Sequence, residues 1–369
     1  MFGQVPLDIL LLFMLYAAGA TVSAIACIYL LLRRGNAFAP DIVTPVRLRR
    51  WTAAFFAFIA LGHFWYLPAA VLTSSEAIRL TMLVGGLLDC ITVFPLALII
   101  LLCMLQDRKR PLWPICVMIA PLVVGMMISI VNRSEALLPI LRIYLLLMGI
   151  GIIIYMVYAV RQYGRWLRDN YADLEHKEVW QSFLVLAVIL LMFGFYVSGV
   201  DGLLYEYIIQ VCGIVLICYL LWRVETLSDL SIHAESIPVS EPIEPVEEET
   251  DAPDDINDIT PLLQHYCINT KLYLQHDLNV TQLAQAIGSN RTYLGQYFAS
   301  QDTTYNEYIN NLRINHFISL YREAVASLRP FSAKQLANDS GYHSYSTFSL
   351  AFKQRMGQSV TAWMRDQNS

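Results

Sequence analysis

Seven stretches of this chain stay apolar for about twenty residues, the length an α-helix needs to cross a hydrocarbon layer of roughly 30 Å. They cover residues 6–32, 51–72, 80–105, 111–131, 137–160, 180–200 and 203–222 of 369. In lipid no water pairs with a backbone N–H or C=O, so each such stretch must satisfy its own polar groups as a helix. The feature predicts an all-α fold whose first 223 residues form a seven-span transmembrane helical bundle. The last two stretches are parted only by a short turn at Asp201 and Gly202, which suits a tight helical hairpin.

Charge divides the chain into three. Residues 1–223 carry 16 Lys and Arg against 12 Asp and Glu, residues 224–258 carry 12 acids and no base, and residues 259–369 carry nine bases against six acids. Only 15% of the chain is charged, where soluble domains run near about 25%. A single soluble domain, a secreted protein and a wholly disordered chain are all excluded by that pattern. Residues 224–258 are acidic and rich in Pro, with no apolar periodicity. They predict a disordered linker, because they bury too little apolar surface to offset the entropy of ordering. A flexible chain of that length spans roughly 30–35 Å.

Loop charge sets an orientation. The segments after the first, third, fifth and seventh stretches hold Arg33, Arg34, Arg47, Arg49, Arg50, Arg108, Lys109, Arg110, Arg161, Arg165, Arg168, Lys177 and Arg223, and the alternate segments hold only Arg79 and Arg133. Basic loops stay on the cytoplasmic side. The N-terminus is therefore expected outside and everything after Arg223 in the cytoplasm. The first stretch has no base before it and is too long for the apolar core of a cleaved signal, so it is read as a retained span.

Four ionisable residues fall inside the apolar stretches: His63, Asp89, Arg142 and Glu206. With this orientation all four lie in the outer half. Charge at such depth is costly and points to function. Two readings stand side by side. In one, the four line a polar pocket that senses an unknown small-molecule or membrane signal. In the other, Arg142 pairs with Asp89 or Glu206 and orders the bundle. Two other seven-span functions lack their chemistry: residues 203–222 hold no Lys for a retinal Schiff base, and no span carries HExxH; a transporter stays open, although no repeat relates the spans. Six of the seven Cys (Cys27, Cys90, Cys103, Cys116, Cys212 and Cys218) lie in apolar runs and Cys267 in the polar region, with no CxxC. No metal or cofactor site is proposed, and no catalytic constellation is visible.

From Ile259 the pattern changes to short amphipathic helices, and it repeats. QLAQAIGSNRTYLGQYF begins at Gln282 and QLANDSGYHSYSTFSLAF at Gln335. Gly288 recurs as Gly341, Leu294 as Phe348 and Phe298 as Phe352. Each copy reads as a helix-turn-helix. A first helix turns Leu-Ala inward, a Gly ends it in the left-handed region, and a polar N-cap, Asn290 or Ser344, starts the next helix. The second helix docks by its two apolar residues at i and i+4, leaving a polar face for a major groove. Between the copies, Tyr305, Tyr308, Ile309, Leu312 and His316 fall on one face of a connecting helix near 305–321. On the outward faces, Arg291, Thr292 and Gln296 in the first reader and His343, Tyr345, Ser346 and Ser349 in the second are candidates for base edges. Asn290, Ser344, Lys353, Arg355 and Arg313 are candidates for phosphate or positioning contacts, with a core carboxylate the other partner for Arg313.

These residues carry a family likeness. Residues 277–365 resemble the C-terminal DNA-binding domain of AraC/XylS-type transcription regulators in the paired motifs, in Arg313 within EYINNLR and in GYHSYSTFSLAFKQRMG at 341–357. Val360 stands where the family usually has Pro, and Asn290-Arg291 where it usually has Ser-Pro. With the apolar half, the whole is similar to membrane-embedded AraC-type regulators. The resemblance implies a soluble double helix-turn-helix domain at 259–369 that binds double-stranded DNA. It also implies a multi-pass protein of the inner (cytoplasmic) membrane with its C-terminal domain in the cytoplasm. A net charge of +3 on 259–369 is low for DNA binding, which points to a homodimer on DNA. The other reading is a seven-span transporter or receptor whose helical domain docks a protein.

Overall fold

The computed structural model describes residues 7–68, 72–183, 203–231 and 259–367. The described residues are helical, and their only strand-like pairing is the isolated antiparallel bridge Tyr171↔Asn279. Two compact units appear: Met1–Arg161 with Val179–Ile237, and Gln162–Glu178 with Pro238–Ser369.

The N-terminal unit contains α1 (Leu7–Leu32), α2 (Val46–Trp65), α3 (Ser75–Ile91), α4 (Val93–Met104), α5 (Trp113–Val131), the start of α6 (Leu138–Asn170) and α7 (Leu203–Thr226). Among the described residues, five helical stretches are long and apolar enough to cross a membrane: Leu7–Leu32, Ser75–Met104, Trp113–Val131, Leu138–Asn170 and Leu203–Thr226. The second expected span is not among them. α2 starts at Val46 and so takes Arg47, Arg49 and Arg50 into its first turns, and it ends at Trp65, ahead of Pro68. The sixth expected span, 180–200, lies outside the described residues from position 184 on.

The third stretch breaks at Thr92 for a local reason. Pro95 has no N–H to give the carbonyl of Ile91, and its ring crowds that carbonyl. Thr92 Oγ1 turns back to the carbonyl of Leu88 at 2.6 Å. α2 packs against α1, α4 and α7, burying Leu48, Phe55 and Phe56. Small residues on α1 (Gly19, Ser23 and Ala26) are buried, which lets helices approach closely. Leu98 and Leu101 of α4, Ile115 and Ile119 of α5, and Ile152 and Met156 of α6 form a second cluster.

The acidic connector does not begin at 224. Glu225 pairs with Arg33 at 3.1 Å; the carboxylate is buried and the guanidinium largely so. Val224, Leu227 and Leu230 are buried, the Asp229 N–H bonds the carbonyl of Val43 at 2.8 Å, and Gln106 holds both Ser228 and Leu230. Apolar Leu227 and Leu230 interrupt the acids there, and they dock the first residues of the connector on the N-terminal unit. Residues 232–258, the rest of the expected linker, lie outside the described residues.

The C-terminal unit opens with Ile259–Leu262, a wider turn at Leu263–Asn269 and a tight turn at Leu272–Leu274. It continues through α8 (Val280–Ala286), α9 (Arg291–Ser300), α10 (Tyr305–Ala326), α11 (Ala333–Asp339), α12 (Tyr345–Met356) and α13 (Val360–Gln367). It has two cores. Leu263, Cys267, Leu283, Leu294, Phe298, Tyr305 and Ile309 form the first; Ile314, Phe317, Tyr321, Leu336, Phe348, Phe352 and Trp363 form the second. α10 serves both: the expected face, Tyr305, Tyr308, Ile309 and Leu312, packs on the first core with His316 edge-on to Tyr273, and a second face, Ile314, Phe317 and Tyr321, enters the other. Burial pushes the Cys267 thiol up to about 11, so it packs as a small hydrophobe.

Candidate nucleic-acid interface

The repeated Gln-Leu-Ala is a helix start. In the first copy the Asn279 side chain accepts from the Gln282 N–H at 2.9 Å, and Gln282 Oε1 accepts from the Asn279 N–H at 2.9 Å, a reciprocal capping box. In the second, Ser332 accepts from the Gln335 N–H at 3.1 Å. Leu283, Ala284, Leu336 and Ala337 then turn inward. The chain leaves each helix through a left-handed glycine, Gly288 at φ 67° and Gly341 at φ 87°. At Gly341 space is an equal constraint, because a Cβ would stand 2.8 Å from the main chain of Leu274.

Each recognition helix starts as its sequence predicts. Asn290 accepts from the Tyr293 N–H at 3.0 Å, and Ser344 from the Thr347 N–H at 3.2 Å. Leu294 and Phe298 of α9, and Phe348 and Phe352 of α12, are buried. Arg291, Thr292, Gln296, His343, Ser346, Lys353 and Arg355 are exposed, as is Asn290. Ser344 and Ser349 are half-buried, and half-buried Tyr345 packs on the second core, with its ring 5.8 Å from Phe348. Arg355 clamps α12 to α10, donating to the Asn311 carbonyl at 2.5 Å and to Asn315 Oδ1 at 2.8 Å.

Arg313 departs from expectation. It is 0% exposed. Its Nε donates to the Tyr273 carbonyl at 2.8 Å, and Nη2 donates to those of Gln275 at 2.7 Å and His276 at 3.3 Å. Its guanidinium lies over the Tyr342 ring at 5.6 Å. It is closed off from solvent and forms no salt bridge among the described residues, although Asp173 and Asp277 lie within electrostatic reach. The segment that leads into α8 turns carbonyls inward there, and buried carbonyls require donors. A guanidinium offers several donors in one plane.

The four charges of the apolar half are not gathered at one place. His63 bonds the Ile59 carbonyl at 2.7 Å and Gln210 at 3.4 Å, and packs edge-on to Tyr16, whose hydroxyl donates to Glu206 at 3.2 Å. α1, α2 and α7 thus bring His63 and Glu206 around Tyr16. Asp89 instead accepts from the Tyr66 hydroxyl at 2.5 Å. Arg142 is exposed and forms no salt bridge among the described residues, so its pairing with Asp89 or Glu206 does not occur. It lies on an outward side of α6, which holds α5 through Tyr144 on the carbonyl of Met118 at 2.8 Å.

One group of residues at the readers has no sequence signal. Gln162–Glu178 belongs to the C-terminal unit. Glu175 accepts from Ser344 Oγ, from Thr347 Oγ1 at 2.8 Å and from Ser346 Oγ at 3.4 Å. In the sequence this segment is a mixed run of three bases and four acids, of which only the bases enter the orientation argument.

Residues 283–366 match the profile of a family described as a helix-turn-helix domain. The match takes in both readers and the helix between them, about a quarter of the chain, and supports an AraC-type DNA-binding domain there. No curated protein and no solved structure matches the chain.

Proposed function

We propose that this AraC-type reader belongs to a membrane-bound transcription regulator, one that couples a signal at the membrane to sequence-specific binding of double-stranded DNA. The observation that carries the reading is the pair of capped recognition helices held by one helix, α10, each turning polar side chains outward. Arg291 and Gln296 have the forked donors and acceptors that read base edges, and Thr292, His343, Ser346 and Ser349 add single contacts. Asn290, Ser344 and Lys353 sit where backbone phosphates are held. Five helical stretches long and apolar enough to span lie in the same chain. Their outward sides carry Leu147, Ile154 and Val215, each more than 60% exposed, a surface suited to hydrocarbon rather than water. Counting α2 and residues 180–200 as further spans gives seven, an odd number that sets the two ends on opposite sides, and the basic segments then favour the N-terminus outside and the reader in the cytoplasm, at the inner membrane. Two copies on one membrane patch raise each other's effective concentration and compensate for a net charge of only +3.

Footprinting with the membrane-bound protein tests this. Two readers on one helix are expected to protect successive major grooves about 10 base pairs apart. Gln296→Ala should cost about 1–3 kcal/mol at one base position, whereas Lys353→Ala should weaken every site alike and reduce the salt slope by about one. Protection of a single short site, or equal behaviour of the two variants, contradicts the assignment.

The signal side rests on the Tyr16, His63, Glu206 and Gln210 cluster. A signal acts only if it binds two states of the bundle with different affinity. Glu206→Gln is expected to keep the protein at its normal level in the membrane and to fix a reporter gene on or off, while Arg142→Ala leaves induction intact. Normal induction in Glu206→Gln removes the cluster from sensing.

A further inference from the structure

α6 runs unbroken to Asn170, and the chain after it stays with the C-terminal unit until Glu178. Tyr171 bridges Asn279, the N-cap of α8. Ala172 is 1% exposed within the first core, and its carbonyl takes Asn306 Nδ2 at 2.7 Å and Asn310 Nδ2 at 3.3 Å, both from α10. Asp173 is buried and within electrostatic reach of Arg313 and Tyr342. At the first reader, Asp169 and Tyr171 lie within electrostatic reach of Arg291. At the second, the Glu175 carboxylate takes hydrogen bonds from Ser344, Ser346 and Thr347, the hydroxyls of the first turn of α12.

The start of a helix attracts anions, because its free N–H groups and dipole are positive. A DNA phosphate seeks the same place as the Glu175 carboxylate and would bond the same hydroxyls. Two anions do not share one set of donors, and at this distance they repel. Burial alone would raise the Glu175 carboxyl. The hydrogen bonds from Ser344 and Thr347, the nearby His176 and the bond from Ser346 together hold it below the usual carboxylate range, so it carries its charge at neutral pH.

Building on the DNA-binding reading above, we propose that Gln162–Glu178 is an inhibitory strap that closes the first turn of the second recognition helix. Glu175 stands in for a DNA phosphate at Ser344 and Asp169 opposes Arg291, so the strap must leave before DNA is gripped. The strap takes in the last residues of α6, one of the helices long and apolar enough to span, and the chain that follows it. A change of state in α6 therefore acts on residues that are part of the strap itself.

The test uses the full chain in lipid nanodiscs, titrated into a labelled randomised duplex of about 30 base pairs, roughly three helical turns. Glu175→Ala and Glu175→Gln are expected to tighten binding on the order of tenfold, about one power of ten in Kd. Hydrogen exchange of amides 171–178, slow in the free protein, is expected to become fast in the DNA-saturated complex. Asp169→Asn, which leaves the Ser344 contacts untouched, should tighten binding in the same direction by a smaller factor. Equal or weaker binding by the Glu175 variants, or protection of 171–178 that persists on DNA, overturns the strap while leaving the DNA reading intact. If neither wild type nor any variant binds duplex, the DNA reading falls and the strap falls with it.

Discussion

Arg313→Met is expected to unfold the C-terminal unit rather than to loosen a hold on DNA. The guanidinium is fully buried and bonds three main-chain carbonyls, those of Tyr273, Gln275 and His276. A buried polar group left without its partner costs about 1–3 kcal/mol. Methionine fills much of the volume and none of the donor capacity, so the loss over these carbonyls is on the order of 3–5 kcal/mol. A domain of this size is stable by only about 5–15 kcal/mol. Arg313→Lys keeps a charge but places it as a point, without the planar fork that reaches several carbonyls, and should fall between. Hydrogen exchange across α8–α12 of the full chain measures this. Native protection combined with uniformly weaker DNA binding would return Arg313 to the phosphate-contact role that its sequence position suggests.

Phe317→Ala should be nearly as damaging and more local. Phe317 is fully buried, with ring centroids at 4.4 Å from Phe348, 5.8 Å from Phe352 and 6.4 Å from Trp363. Truncating a buried Phe costs about 3–5 kcal/mol, the lost transfer energy plus the cavity left behind. Every ring it meets belongs to the second core, and no member of the first core is among them. The expected result is loss of protection in α11–α13 with α8 and α9 still protected, and a footprint reduced to one groove. If both halves lose protection together, α10 makes the two readers one cooperative unit, and the partition into two cores has no energetic meaning.

Much of the reader is legible in the sequence, because its signals are local. A cap at Asn290 or Ser344, a left-handed glycine at 288 or 341 and apolar residues four apart at 294 and 298 act within one or two turns of chain. A repeated motif doubles such signals. The exposed positions Arg291, Thr292, Gln296, His343 and Ser346 follow from helical period alone. Among the described residues the apolar stretches are equally plain in length and composition, with the exception of α2. There the helix starts among arginines that the charge pattern assigns to a loop, and a terminus set by capping and packing is the part of a helix that periodicity defines least.

The sequence by itself determined which segments are helices, which faces of the readers are apolar and where three zones of charge divide the chain. Each follows from the spacing of neighbours along the backbone, at a period of about 3.6 residues or over a window of about twenty. Tertiary structure alone decided the partners across long separations. Arg313 meets the carbonyl of Tyr273, 40 positions away, instead of an anion. Glu206 meets Tyr16 and not Arg142. Glu175 meets Ser344 across 169 positions. Such contacts depend on which surfaces fit when whole elements pack, a property of shape and buried polar pairing that no local pattern encodes.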